Sequence, residues 1–128
     1  MDVSTITRTR MEMLVLFFTL VIGHAIADFV LQPAPMSRGK NRRNNLKLQE
    51  EYGHGFPPWY YWLSSHALTH AGAVFIITGS ALCAVIETLG HFLIDLGKCE
   101  RLYNFHFDQV LHLACKLLYV VLIHQSIA

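Results

Sequence analysis

The chain has 128 residues, the size of one domain, with no room for a catalytic domain beside a separate regulatory one. Hydrophobic residues make up 53% and charged ones 15%, against roughly a quarter charged in an ordinary soluble domain, which excludes a disordered or heavily solvated chain. The formal net charge of +1 supplies no global field that would select nucleic acid or an acidic partner.

Position says more than number. Four charges lie between Asp2 and Glu12 and seven between Arg38 and Glu51, leaving eight for the rest of the chain. No Asp, Glu, Lys or Arg lies between Glu51 and Glu87, and at about 1.5 Å per residue that stretch exceeds the roughly 30 Å hydrocarbon core of a bilayer. This reads as an integral membrane protein whose first partner is the lipid bilayer.

The first apolar run starts at Met11, preceded by Arg8 and Arg10 and closed by Pro33 and Pro35, which cannot continue a helix. It predicts a helix over 11–32. A secretory signal is the alternative, with Ala25, Ile26 and Ala27 as its cleavage site, but a helical polar face continues through Asp28 to Gln32, which such a signal does not need. Residues 37–58 read as a basic loop, ending in the Gly/Pro-rich stretch Gly53 to Pro58. Within it, His54 between two glycines reads as a solvated histidine, with a mobile ligand or acid as the alternative. Trp59, Tyr60, Tyr61 and Trp62 mark a membrane interface, where amphipathic rings settle, and open a helix over 59–78. Gly79 and Ser80 break it, a third helix covers 81–98, and a fourth covers 105–126. The expected fold is all-α, a four-helix transmembrane bundle occupying 1–128 as a single domain. Cys83, Cys99 and Cys115 show no Cys-x-x-Cys spacing and read as small apolar residues.

Arg38, Lys40, Arg42, Arg43 and Lys47 join the first two helices, and Lys98 and Arg101 join the last two. Arg8 and Arg10 alone mark the other side. The positive-inside rule then places both basic segments in the cytoplasm and both termini outside it, in the inner membrane. With no aromatic interleaving, the basic loop reads as topogenic or lipid-binding, and no nucleic-acid partner is expected.

Each predicted helix carries polar residues four apart: His24, Asp28 and Gln32; His66 and His70; Glu87, His91 and Asp95; Asp108 and His112, with Gln109 beside them. Such spacing projects side chains from one face. An ionisable group inside a span costs several kcal/mol unless it pairs or binds something, so these faces should converge. One histidine on an apolar face is ordinarily a core residue, and a hydrogen-bonded network that only joins helices is the plain alternative. Four helices with the same repeat suit a metal better, and His, Asp and Glu without thiolate suit zinc first, then manganese or iron. His24, Asp28, His66, His70, His91 and Asp95 are the expected ligands. That set exceeds one tetrahedral site, so either two ions bind or some members support the ligands. Glu87 and Asp108 are the candidates for proton transfer. Gln32, Gln109 and His112 are expected behind the ligands or at a second metal.

The pattern Gly-His-x-x-x-Asp-Phe-x-x-Gln-Pro from Gly23, His-x-x-x-His from His66, Glu-x-x-x-His-Phe-x-x-Asp from Glu87 and Asp-Gln-x-x-His from Asp108 resembles the DUF3307 family of small bacterial and phage integral membrane proteins. The likeness runs from about Leu14 to the last helix. A more distant similarity is to inner-membrane proteins of the YdjM type, classed by inference as metal-dependent hydrolases. The resemblance implies a membrane-embedded protein and leaves its activity open. The expected function is hydrolysis of a lipid-like or amphiphilic substrate by metal-activated water near the cytoplasmic face. The alternatives are a metal- or cofactor-binding or transport protein, which at this length would form homo-oligomers, and a phage or host interaction protein with a structural polar core.

Overall fold

The computed structural model describes residues 3–53 and 55–127, with side chains from residue 6 onward, so His54 lies outside the described residues. Among these residues all regular structure is helical. Helix α1 (Val3–Ala25) runs directly into a π-helical turn, Ile26–Val30, in which Leu31 N donates to Ile26 O at 2.9 Å. Pro33 stops it. The long helices α4 (Trp59–Thr78), α5 (Ala81–Cys99) and α6 (Phe105–His124) follow the expected boundaries closely.

Their limits have local causes. Gly79 takes φ 68° and donates its N–H to Phe75 O at 2.8 Å, ending α4 in the left-handed conformation that glycine adopts without strain. Ser80 then accepts from Cys83 N at 3.1 Å and starts α5, so two residues suffice to reverse the chain. Asn104 caps α6 by accepting from Phe107 N at 2.9 Å.

Where a loop was expected over 37–58, the chain forms two short helices, α2 (Ala34–Gly39) and α3 (Arg42–Tyr52). Polar residues conceal them in the sequence, but Pro35 near the start of α2 and the Asn41 side chain, accepting from Arg43 N and Asn44 N at the start of α3, are ordinary helix starts. Gly39 lets α2 lie directly on α4: a Cβ there would come within 2.6 Å of the Trp62 indole. Asn45 fixes the pair by donating to Gly39 O at 3.0 Å and Pro57 O at 2.9 Å.

The long helices form a ring in which α1 packs on α4 and α6, and α5 on α4 and α6. Along its axis the ring is divided. Leu20, Val74, Cys83, Tyr119 and Val120 make an apolar core at one end. The other end, where α2 and α3 dock, is filled by polar side chains. Among the described residues, 13 polar or charged side chains are buried against 11 hydrophobic ones, while Ile76 (84% exposed), Val30 (73%) and Phe29 (68%) lie outside. That is the reverse of a water-soluble bundle. Two helical stretches, Ile6–Val30 and Phe105–His124, are long and apolar enough to cross a membrane. Helices α4 and α5, of 20 and 19 residues, are close in length to Phe105–His124 but less apolar, because of the His, Asp, Glu and Lys side chains they turn inward.

Candidate metal centre

Helix periodicity delivers the expected polar faces to one place, and the π turn adjusts one of them. Asp28, inside the turn, lies beside His24, whose Nε2 is 3.4 Å from Asp28 Oδ2. Gln32 Nε2 donates to the Asp28 main-chain carbonyl at 3.0 Å, while its Oε1 is buried without a partner. A π turn at a polar cluster is a frequent mark of function.

Asp28, His66, His70 and His91, all buried, each offer a ligand atom within 4.8 Å of the others. Asp28 Oδ1 lies 3.2 Å from both His66 Nε2 and His70 Nε2. Ligands about 2.0–2.1 Å from a tetrahedral zinc lie about 3.3–3.4 Å from one another, so this spacing already suits one ion. His91 donates from Nδ1 to Glu87 Oε1 at 3.2 Å, which leaves Nε2 as the free ring nitrogen, and that atom has no hydrogen-bond partner. A carboxylate behind a histidine in this way fixes its tautomer for a metal. Both ring nitrogens of His66 also lack hydrogen-bond partners. Leaving a buried polar atom unsatisfied costs about 1–3 kcal/mol, so the donor set fits an ion that would engage these atoms.

The six expected ligands do not form one set. His24 groups with His91 and His112, and Asp95 groups with Asp108 and His112. His24 Nε2 donates to Gln109 Oε1 at 3.2 Å, and Gln109 Nε2 donates to Asp28 Oδ2 at 3.0 Å and to Asp108 Oδ2 at 3.2 Å. Gln109 thus ties the two carboxylates together. Glu87 does not open toward the cluster's centre. It accepts from Lys116 at 2.5 Å and from Tyr119 at 2.7 Å, as well as from His91.

Three lysines complete the cluster. Lys40, on α2, donates to Asp95 Oδ2. Lys98 donates to Asp95 Oδ1 and Asp108 Oδ2, each at 3.1 Å. With Lys116 on Glu87, every carboxylate here has an ammonium partner except Asp28, which faces only His24, His66, His70 and Gln109. At the rim, Tyr103 donates to Ile94 O, and burial, followed by the Asp108 and Asp95 charges, pushes its hydroxyl pKa up, which keeps it a donor.

The family model described as protein of unknown function (DUF3307) matches residues 16–128, from the middle of α1 through α6, and so takes in every residue of the cluster. The chain belongs to the DUF3307 family. No curated protein and no solved structure matches it. For this DUF3307 chain the sequence pattern identified the histidines and carboxylates but passed over Lys40, Lys98, Lys116 and Tyr119. Lys116 was within reach, since it continues the 108, 112 stripe by one more step of four. Lys40 and Lys98 look like topology signals in the sequence, yet the docking of α2 brings Lys40 inward and Lys98, in the last turn of α5, reaches Asp95 three residues before it.

Proposed function

We propose that this protein crosses the inner membrane with α1, α4, α5 and α6, and that it is a metal-dependent hydrolase holding one divalent ion on Asp28, His66, His70 and His91. Asp28 carries the reading: a buried carboxylate without a lysine, bonded to His70 Nε2 and set beside His66, whose ring nitrogens lack partners, and near the unpartnered His91 Nε2, needs a cation. Three imidazoles and one carboxylate suit zinc first, with manganese or iron as alternatives. A bound divalent ion supplies Lewis acidity and lowers the pKa of a water toward neutrality. Around it, Glu87 holds the His91 tautomer, Gln109 orients Asp28, and Asp108, whose Oδ1 is unpartnered, is the carboxylate free to take a proton as long as no cation occupies that oxygen.

The exposed apolar side chains on the long helices and the buried charges between them support four spans in lipid. The basic residues of α2 and α3 and of the turn after α5 support a cytoplasmic position for that end. A cavity of about 480 Å³ at the same end, lined by Pro35, Arg38, Leu48, Tyr52 and Phe56, has apolar walls and one cation, which suits an amphiphilic substrate with an anionic group. Arg38 borders this cavity while Lys40, on the same turn of chain, reaches the cluster.

The test is metal analysis of the detergent-purified protein beside His66→Ala and His91→Ala. One tightly held ion in the wild type, lost in both variants, is expected. A wild type that purifies and folds without any metal, and takes up none when zinc is supplied, overturns the proposal. Turnover of lipid-like phosphoesters by the loaded protein then separates a hydrolase from a transporter, which would show uptake into proteoliposomes without turnover.

A further inference from the structure

Beside the four proposed ligands lies a second set of donors with a different occupant. His112 Nε2 is 3.4 Å from Asp95 Oδ1 and 3.6 Å from Asp108 Oδ1. These three residues each offer a ligand atom within 4.8 Å of the others, and all are at most 1% exposed. Two of the atoms, His112 Nε2 and Asp108 Oδ1, have no hydrogen-bond partner. The cation present is the Lys98 ammonium, 3.1 Å from each carboxylate. No hydrogen bond joins it to the His112 nitrogen, which is left without a partner. A divalent ion would satisfy all three residues together.

We propose that Asp95, Asp108 and His112 form a second divalent-cation site, and that Lys98 fills it as an exchangeable counter-ion until a metal displaces it. Lys98 is built to leave. Its side chain is 23% exposed, whereas Asp95, Asp108 and His112 are closed off, and the Phe105 ring 6.0 Å from Nζ offers the ammonium an aromatic face on the way out. Charge favours the exchange: a divalent ion joining both lysines would over-compensate the two carboxylates, and the departure of Lys98 halves that excess. Lys40, 5% exposed and tied in with α2, stays. Asp95 turns Oδ2 toward His66 and His91, at 3.5 and 3.9 Å, and Oδ1 toward His112. It therefore stands between the two sites, a bridging position that rests on the proposed first site being a metal site.

The experiment is a titration of the full chain in detergent with zinc, and in parallel with cobalt(II), counting bound ions at controlled free-metal concentration. The wild type should bind a tight ion and a weaker second one. Lys98→Met should tighten the second at least tenfold. Lys98→Arg should weaken it, since a guanidinium bridges two carboxylates more firmly than an ammonium. Asp108→Asn should abolish the second ion and keep the first, and His66→Ala should do the opposite. A wild type and Lys98→Met that both stop at one ion, lost in His66→Ala, refute the second site and leave the first standing. A single ion lost in Asp108→Asn but kept in His66→Ala supports the second site and removes the first. Should Lys98→Met fail to fold, a second-ion affinity unchanged in Lys98→Arg refutes the exchange.

Discussion

Asp28→Asn separates a metal ligand from a structural contact, because the two roles give opposite patterns of stability. The substitution keeps the shape and one acceptor oxygen, and removes the charge. Without metal, it weakens two hydrogen bonds made to a charged group, from Gln109 at 3.0 Å and with His70 at 3.2 Å, each worth about 1.5–3 kcal/mol. It also relieves the several kcal/mol that a buried carboxylate without a full counter-charge costs. The two terms nearly offset each other, so the metal-free variant should be about as stable as the metal-free wild type. With zinc the variants diverge. At a free zinc concentration of about 1,000 times the wild-type Kd, binding stabilises the folded state by about 4 kcal/mol. Losing one ligand of four should weaken binding at least as much as losing a support behind a ligand, about 100-fold at the upper end, so the gain falls to about 1.4 kcal/mol at the same zinc concentration. Denaturant unfolding in detergent micelles, with chelator and with zinc, reads both quantities. An equal zinc-dependent gain in both proteins would refute the assignment of Asp28. A variant that collapses even with chelator would mean that the cluster is held together by Asp28 itself.

Glu87→Gln should weaken metal binding about 10–100-fold by loosening His91, and should also destabilise the fold by about 3–5 kcal/mol because Lys116 is left as an unpaired buried cation. Unfolding and zinc titration of the double variant Glu87→Gln, Lys116→Met should then recover most of the stability and none of the affinity; recovery of both would mean that Glu87 acts only as a counter-ion. Single cysteines at Arg43 and Ser126, in a Cys115→Ala background because Cys83 and Cys99 are already buried, should react with a membrane-impermeant maleimide from opposite sides, Arg43→Cys from the cytoplasm. Labelling of both from one side would refute the four-span topology.

The histidines and carboxylates of the cluster were legible because a step of four residues is the signature of a helix face, and four helices repeat it. What the pattern could not carry was depth and partnership. Asp28 and Asp95 look alike in the sequence, yet one faces only imidazoles and an amide while the other holds two lysines, and the difference comes from chain far away: Lys40 arrives on α2, whose helical character is hidden among polar residues, and Lys98 from the last turn of α5. The π turn was equally hidden. Regular spacing put Gln32 on the same face as His24 and Asp28, but the helical turn ends at Val30 and Gln32 lies beyond it.

The π turn gives α1 an unusual tolerance. A one-residue deletion inside a packed helix ordinarily rotates everything beyond it by about 100° and ruins its contacts. Here the turn Ile26–Val30 already stores one residue more than an α-helix holds, and Pro33 ends the segment three residues later. Removing a residue from the turn would close it into a regular α-helix, leave Leu20 and the apolar end in place, and let the slack be taken up before α2. The change would fall almost entirely on Asp28. Such a deletion would therefore isolate the contribution of Asp28, with His66, His70 and His91 left in place on α4 and α5.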